Sequence, residues 1–522
     1  MIQIDGKSLS IQDIRQVAIY HEKTSLSKKA ANKIRQSRGW VEEIIKQGNP
    51  VYGINTGFGI FADRQISSTE TRLLNRNLIL SHAVGTGDPL PTEVVRAAIL
   101  IRANTLAKGY SGVRPIVVET LLKMLNLGIH PIVPCQGSLG SSGDLAPLSH
   151  LALVLSTDED DLDEMSGYAE YNGTILSGKK AMDKAGISRI ILEAKEGIGL
   201  NNGATFSAAI AALACSDAEN LLSVAEIALS MSLEALLGIS SAFDPRIHES
   251  RQHPGQITVA ERVRTLTSGS TLLDSTDRVQ DAYSLRCSPQ VQGPARETLS
   301  FTSEVISREI NAATDNPLLF AEGEAISGGN FHGEPVGMVM DYLGIAMTEI
   351  SGISERRVFR LTDGRLNENL PSMLVDQHQD AGLNSGMMMP QYTAASLVLE
   401  SRSLASPDST GSLPTSAAQE DHNANSMTAA RHTRQIIKIS AHVLAIELYV
   451  AARALDIRLR EIPQTKLGKG TEAAFQCIRD SVPYQAGDAL WGPEIDSVRE
   501  LILSRMIISA VDKVTDNKQV LI

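Results

Sequence analysis

From about residue 205 onward, apolar residues recur with a helical period over unusually long stretches. Ile437, Ala441, Leu444, Leu448, Ala452 and Leu455, for example, fall three or four positions apart. The pattern predicts helices over 204–237, 295–313, 335–361, 390–405 and 427–456. As one helix the last would be about 45 Å long at a rise of 1.5 Å per residue. Five such segments imply a helix bundle. Many are rich in small residues and apolar on more than one face, so they are expected to pack against other subunits as well as against each other.

Ahead of this region the periodic stretches are shorter, with glycine and proline punctuating the loops between them. One helix is well bracketed: Pro115 suits a first turn, Val117, Leu121, Leu122 and Leu125 give the apolar face, and Gly128 stands where the helix should stop. The acidic run 158–164 reads as a solvated loop. The expected division is a loop-rich head over 1–203, followed by long helices over 204–522.

Composition sharpens this picture. A chain of 522 residues exceeds what one compact core normally supports. With 43% apolar residues but only 4% aromatics, it suits close-packed helices better than sheets, so the fold class is mainly α. A formal charge of −12 argues against nucleic acid or an anionic membrane as partner. Cys135, Cys215, Cys287 and Cys477 lie far apart with no CxxC, which speaks for reduced thiols in the cytoplasm and against a zinc site or a disulfide framework. The start, MIQIDGKSLS, carries no basic-then-apolar signal, and no stretch is expected to reach membrane-spanning length, since 206–215 is soon followed by Asp217 and Glu219.

The most distinctive chemistry lies in the run 137–150, GSLGSSGDLAPLSH. If the backbone bends tightly there, the amide nitrogen of Gly143 can attack the carbonyl carbon of Ser141. Loss of two waters then leaves a five-membered imidazolone with an exocyclic methylene. Gly143 supplies an unhindered nitrogen and backbone angles that glycine reaches cheaply. Ser142 supplies the β-hydroxyl that leaves, and Ser141 lends only its carbonyl.

This run resembles the prosthetic-group loop of the histidine and aromatic amino-acid ammonia-lyases, in which three such residues cyclise to 4-methylidene-imidazol-5-one (MIO) with no external cofactor. That family usually has alanine first, where this chain has Ser141. The side chain is a spectator in ring closure, so the change is expected to be tolerated and to act, if at all, on hydrogen bonding near the ring. Eliminating ammonia from an α-amino acid requires an electrophile and a base together, because the β-hydrogen is barely acidic and the amine leaves poorly. The methylene can capture the amine or attack the aromatic ring, and both routes stay open.

Other strings extend the resemblance from about Tyr52 to Met427. In VYGINTGFG, Tyr52 takes the place of the catalytic tyrosine; with a reference pKa near 10, it needs positive charge or hydrogen bonds to act as a base. In RVQDAYSLRCSPQVQG, Arg286 matches the partner of the substrate carboxylate, Gln280 belongs to the pocket, and Tyr283 lies near the leaving amine. Asn202 in KEGIGLNNGAT matches the asparagine on the imidazolone oxygen, with Asn201 as the neighbouring alternative. Asn316 in NAATDNPLL either helps to hold the carboxylate or ends a helix, and Phe331 in SGGNFHGEP either lines the pocket or is plain core. His248 and His253 are five apart, wrong for two ligands on one helical face, and read as structural, so no metal is expected.

Two strings bear on the substrate. LSHAVGTG places His82 in a Ser-His pair like that of histidine lyases, which some tyrosine lyases share. LPTSAAQEDHNANSM reads two ways. Counted from its left end, Glu420 is the carboxylate that grips an imidazole; counted back from NANSM, His422 falls where a phenylalanine or tyrosine lyase has glutamine. The leading expectation is an ammonia-lyase converting L-histidine to urocanate. The alternatives are a tyrosine or phenylalanine ammonia-lyase, a related 2,3-aminomutase, and a helical scaffold that never forms the ring. The resemblance further implies a fumarase/aspartase-like helical fold and a homotetramer whose active sites each draw on three subunits.

Overall fold

Pro115 opens the helix Pro115–Leu127 and Gly128, at φ 76°, closes it, its N–H donating to the Met124 carbonyl. Glycine reaches this left-handed conformation without the Cβ penalty that other residues pay. The computed structural model describes residues 1–61, 63–67, 69–462 and 464–515. The predicted long helices are present as Thr205–Ala235, Ser288–Glu309, Glu334–Thr362, Met388–Leu404 and Ser426–Glu461. The second of these starts seven residues ahead of its predicted boundary and carries Pro294 in its interior.

The chain folds as two compact units that interleave along the sequence. The first comprises residues 1–216, 303–341 and 407–431, and the second 217–302, 342–406 and 432–522. This division does not follow the one expected at 203/204: four of the five unit boundaries fall inside long helices, and the fifth, at 406/407, follows the helix Met388–Leu404.

In the first unit the helix Thr92–Ala107 is buried without interruption from Val94 to Ala107, matching its apolar residues on every face. Short strands brace the helices. Ile129–Pro131, Tyr168–Tyr171 and Thr174–Ser177 form an antiparallel sheet, and Thr86–Pro89 pairs antiparallel with Pro134–Gln136 just before the serine-glycine run. The acidic run is pinned rather than merely solvated: Arg76 holds Asp158 at 3.0 Å, while Arg189 and Lys179 hold Asp161. In the second unit three long helices meet at Glu447. Both of its oxygens are held by Arg357, at 2.5 and 2.8 Å, and each also accepts from a serine, Ser232 or Ser354, at 2.7 Å.

One expectation is corrected. Thr205–Ala235, Glu334–Thr362 and Ser426–Glu461 are long and apolar enough to cross a membrane by length and composition. Isolated acids such as Asp217 and Glu219 had masked this in shorter windows. The most apolar windows are 89%, 67% and 83% buried inside the protein, so the chain's own packing accounts for much of their all-round apolarity.

Candidate active site

The serine-glycine run leaves the strand Pro134–Gln136 and ends at the helix Leu145–Leu155. At its centre two glycines bring separate backbones into contact. Gly143 has φ +79°, and a Cβ there would lie 2.1 Å from the Gly203 carbonyl carbon; Gly203 has φ +117°, and its Cβ would lie 2.5 Å from Thr314 Oγ1. No side chain fits at either position. Between them Gly203 N–H donates to the Ser142 carbonyl at 3.2 Å, and Asp144 N–H donates to the Gly203 carbonyl at 2.9 Å. Asn202 Nδ2 also donates to the Ser142 carbonyl, at 2.8 Å. One oxygen therefore faces two preorganised donors, the arrangement that stabilises developing negative charge. Asn201, by contrast, turns its amide to Ser149 Oγ at 3.3 Å.

Buried groups fix this arrangement from beneath. The Arg102 guanidinium grips the carbonyls of Asn202 at 2.8 Å and Gly199 at 3.3 Å, and also bonds the Thr205 hydroxyl. Asp144 accepts from Ser207 N–H at 2.7 Å and from the Ser207 and Ser138 hydroxyls at 2.8 Å each. Burial nevertheless pushes its carboxyl above the usual range, with these bonds opposing the shift.

The resemblance implies an MIO group, and the residues present fit one. Among the described residues the Gly143 N–H donates no hydrogen bond, so its nitrogen is uncommitted. The carbonyl of Ser142, which would become the ring oxygen, already has the two donors it needs. The Ser142 hydroxyl faces a cavity of about 470 Å³ lined also by Tyr52, Asn202, Asn316, Phe331 and Glu420. A second cavity of about 670 Å³ shares Tyr52, Ser142, Asn202 and Glu420 and adds His82, with Phe58 and Leu78 on its wall.

Tyr52 is carried on a loop locked by Asn55, which accepts from Val51 N–H at 2.7 Å and donates to the Asn49 carbonyl at 2.9 Å. Ile54 anchors the same loop in a core of Val41, Ile44, Ala194 and Leu319. Burial pushes the Tyr52 phenol up, Glu420 adds to this, and a long 3.5 Å contact from Gly59 N–H opposes both. Burial pulls the His82 imidazole down, with the Leu78 backbone and Glu420 opposing, which favours the neutral ring at pH 7. Its Nδ1 is paired with Ser81 Oγ at 3.0 Å.

Glu420 sits where the two cavities meet. Its Oε1 accepts from the Ser142 hydroxyl at 2.6 Å and its Oε2 from the Ser141 hydroxyl at 2.5 Å. The turn before it is strained, with Ser416, Ala417 and Ala418 at φ 52°, 51° and 65°, a conformation that costs non-glycine residues about 1–3 kcal/mol each. The turn is closed by Thr415 N–H on the Glu420 carbonyl at 2.8 Å and Glu420 N–H on the Thr415 carbonyl at 3.2 Å. His422, the competing candidate, stacks on His332 with centroids 5.9 Å apart and makes no such contact with the serines among the described residues. Asn316 ends no helix. Its amide binds the following loop, through Nδ2 to Ser327 Oγ at 2.9 Å and through Oδ1 from Gly328 N–H at 2.8 Å. Phe331 is half-buried in the cavity wall rather than in the core.

Gln280, Tyr283 and Arg286 belong to the second unit. Tyr283 is 70% exposed, the Arg286 guanidinium lies 4.7 Å from its ring centroid, and Arg286 Nε donates to the Asp281 carbonyl at 2.9 Å. His248 is structural, bonded to the Ala242 carbonyl and to Gln256. Three contributors escaped the sequence reading: His332, Gly203 and Arg102. The first two lie beside Phe331 and Asn202 in strings already singled out, whereas nothing local marks Arg102.

The sequence matches the aromatic amino acid lyase family over residues 9–480. The chain belongs to that family. As an aromatic amino acid lyase it is an enzyme of the carbon–nitrogen lyase class with the family's helical, fumarase/aspartase-like fold. It is 47% identical to histidine ammonia-lyase 2 of Fusobacterium nucleatum, with 98% of each chain covered. The crystal structure of histidine ammonia-lyase from Trypanosoma cruzi superimposes with a TM-score of 0.89 at 36% identity, covering 98% of this chain and 95% of that one. Tyrosine aminomutase from Streptomyces globisporus superimposes with a TM-score of 0.92 at 33% identity, covering 99% of each.

Proposed function

We propose that this aromatic amino acid lyase eliminates ammonia from L-histidine to give urocanate, at a site built on an MIO group formed from Ser141, Ser142 and Gly143. The observation that carries the reading is the Ser142 carbonyl held by Asn202 and Gly203, below cavities that also contain Tyr52, His82 and Glu420. When present, the group supplies an electrophilic carbon that makes the amine a better leaving group or acidifies the β-hydrogen. Tyr52 takes the β-proton. Asn202 Nδ2 and Gly203 N–H hold the negative charge that develops on the oxygen between them. Glu420 accepts the imidazole N–H and His82 adds a second polar partner at the side-chain end, a pairing that suits imidazole better than an apolar ring. Relatives 47% and 45% identical over nearly the whole chain bear the name histidine ammonia-lyase and support the same substrate.

The remaining groups come from a neighbouring copy of the chain. An exposed Tyr283 beside Val279, which is 97% exposed, is what a site completed by assembly leaves on a single subunit. In the homotetramer Arg286 binds the substrate carboxylate and brings positive charge to the site, while Tyr283 and Gln280 line the pocket. Cys135, Cys287 and Cys477 are free thiols, which suits a reducing cytoplasm.

Likeness to tyrosine aminomutase favours a second reading, in which the ammonia is returned to the β-carbon. Rates measured on purified protein with L-histidine, L-tyrosine and L-phenylalanine, with the products identified, decide between them. Urocanate from L-histidine as the dominant product supports the proposal; a β-amino acid, or preference for the phenyl substrates, overturns it.

A further inference from the structure

Ser141 holds one oxygen of Glu420 and Ser142 holds the other, through two consecutive hydroxyls. Ring closure treats them differently. The water lost from Ser142 takes its β-hydroxyl, whereas Ser141 loses only its carbonyl oxygen and keeps its side chain. In the mature protein Glu420 therefore retains the Ser141 contact alone, and Oε1 is released toward the cavity. Ser141 is buried, at 5% exposure, so its hydroxyl cannot readily exchange this partner for water. Glu420 rises from a strained turn tied at its ends through the Thr415 backbone and hydroxyl, bonds that hold its main chain but not its carboxylate, so the side chain depends on a tether of its own for a fixed position.

We infer that Ser141 is a positioning residue for substrate recognition: its hydroxyl anchors Oε2 of Glu420 so that Oε1 presents to the imidazole. A hydroxyl at this place gives the carboxylate a charge-assisted hydrogen bond that an alanine cannot supply. The inference rests on the reading of Glu420 as the imidazole-binding carboxylate.

The test compares Ser141→Ala, Ser141→Thr, Glu420→Ala and the double variant Ser141→Ala/Glu420→Ala, each by intact mass, by kcat and KM for L-histidine, and by calorimetric titration with urocanate. Ser141→Ala is expected to retain the loss of two waters. Its KM for L-histidine and Kd for urocanate rise about tenfold, the scale of one hydrogen bond to a charged group, while kcat changes much less. Ser141→Thr restores both constants, and in the Glu420→Ala background the second change adds nothing. Three outcomes overturn the inference: wild-type KM and Kd in Ser141→Ala, an equal loss with and without Glu420, or a Ser141→Ala chain at full theoretical mass. A Glu420→Ala enzyme with unaltered KM and Kd instead removes the underlying reading of Glu420.

Discussion

In the proposed reaction Tyr52 acts as the base, yet its immediate surroundings hold the proton on. Burial and the neighbouring Glu420 both push its phenol above the usual value. A raised pKa means a smaller phenolate fraction at neutral pH, so kcat/KM should climb as pH rises toward the alkaline range. Tyr52→Phe should flatten that limb and lower kcat by about 10²–10⁴, the scale of a lost general base, while intact mass still shows the ring. An unchanged pH profile in the variant would remove Tyr52 from the base role. Tyr52, Ser142 and Asn202 were legible in the sequence because each lies inside a short string with a chemical reason for its composition. The Ser141 hydroxyl was not: its partner is 279 residues away, and no local pattern records a contact made only by folding.

At the scale of elements, helical periodicity gave the long helices closely, because apolar spacing over many turns averages out single exceptions. The acids at 217 and 219 misled a length, because two residues were given the weight of a whole segment. The turn at Asn202-Gly203 is the element on which the proposed chemistry depends. Gly203→Ala would drive a Cβ against Thr314 and displace the N–H that reaches Ser142. A large fraction of that variant should therefore run at full theoretical mass, and complete ring formation would contradict the assignment. The Arg357–Glu447 pair is wholly buried and gives a purely structural counterpart. Arg357→Leu strands the carboxylate and should cost about 3–5 kcal/mol in chemical denaturation; a variant within about 1 kcal/mol of wild type would show that the pair is dispensable.

The whole molecule divides the expected active-site residues between its two units, with Tyr52, His82, Ser142, Asn202 and Glu420 in one and Gln280, Tyr283 and Arg286 in the other. No pattern along one chain reveals whether such groups meet within a subunit or between copies. If they meet between copies, Tyr52→Phe and Arg286→Met chains, each inactive alone, should recover part of the wild-type activity when coexpressed, because some sites then combine an intact residue from each. Absence of recovery in confirmed mixed oligomers would place both residues in one subunit's site. Every step still depends on the backbone at Ser142 having closed on itself. The direct measurement is the intact mass of freshly purified, active protein beside Ser142→Ala: the account predicts that the wild-type chain falls short of its sequence mass by two waters while the variant does not, and an active wild-type chain at full sequence mass would contradict it.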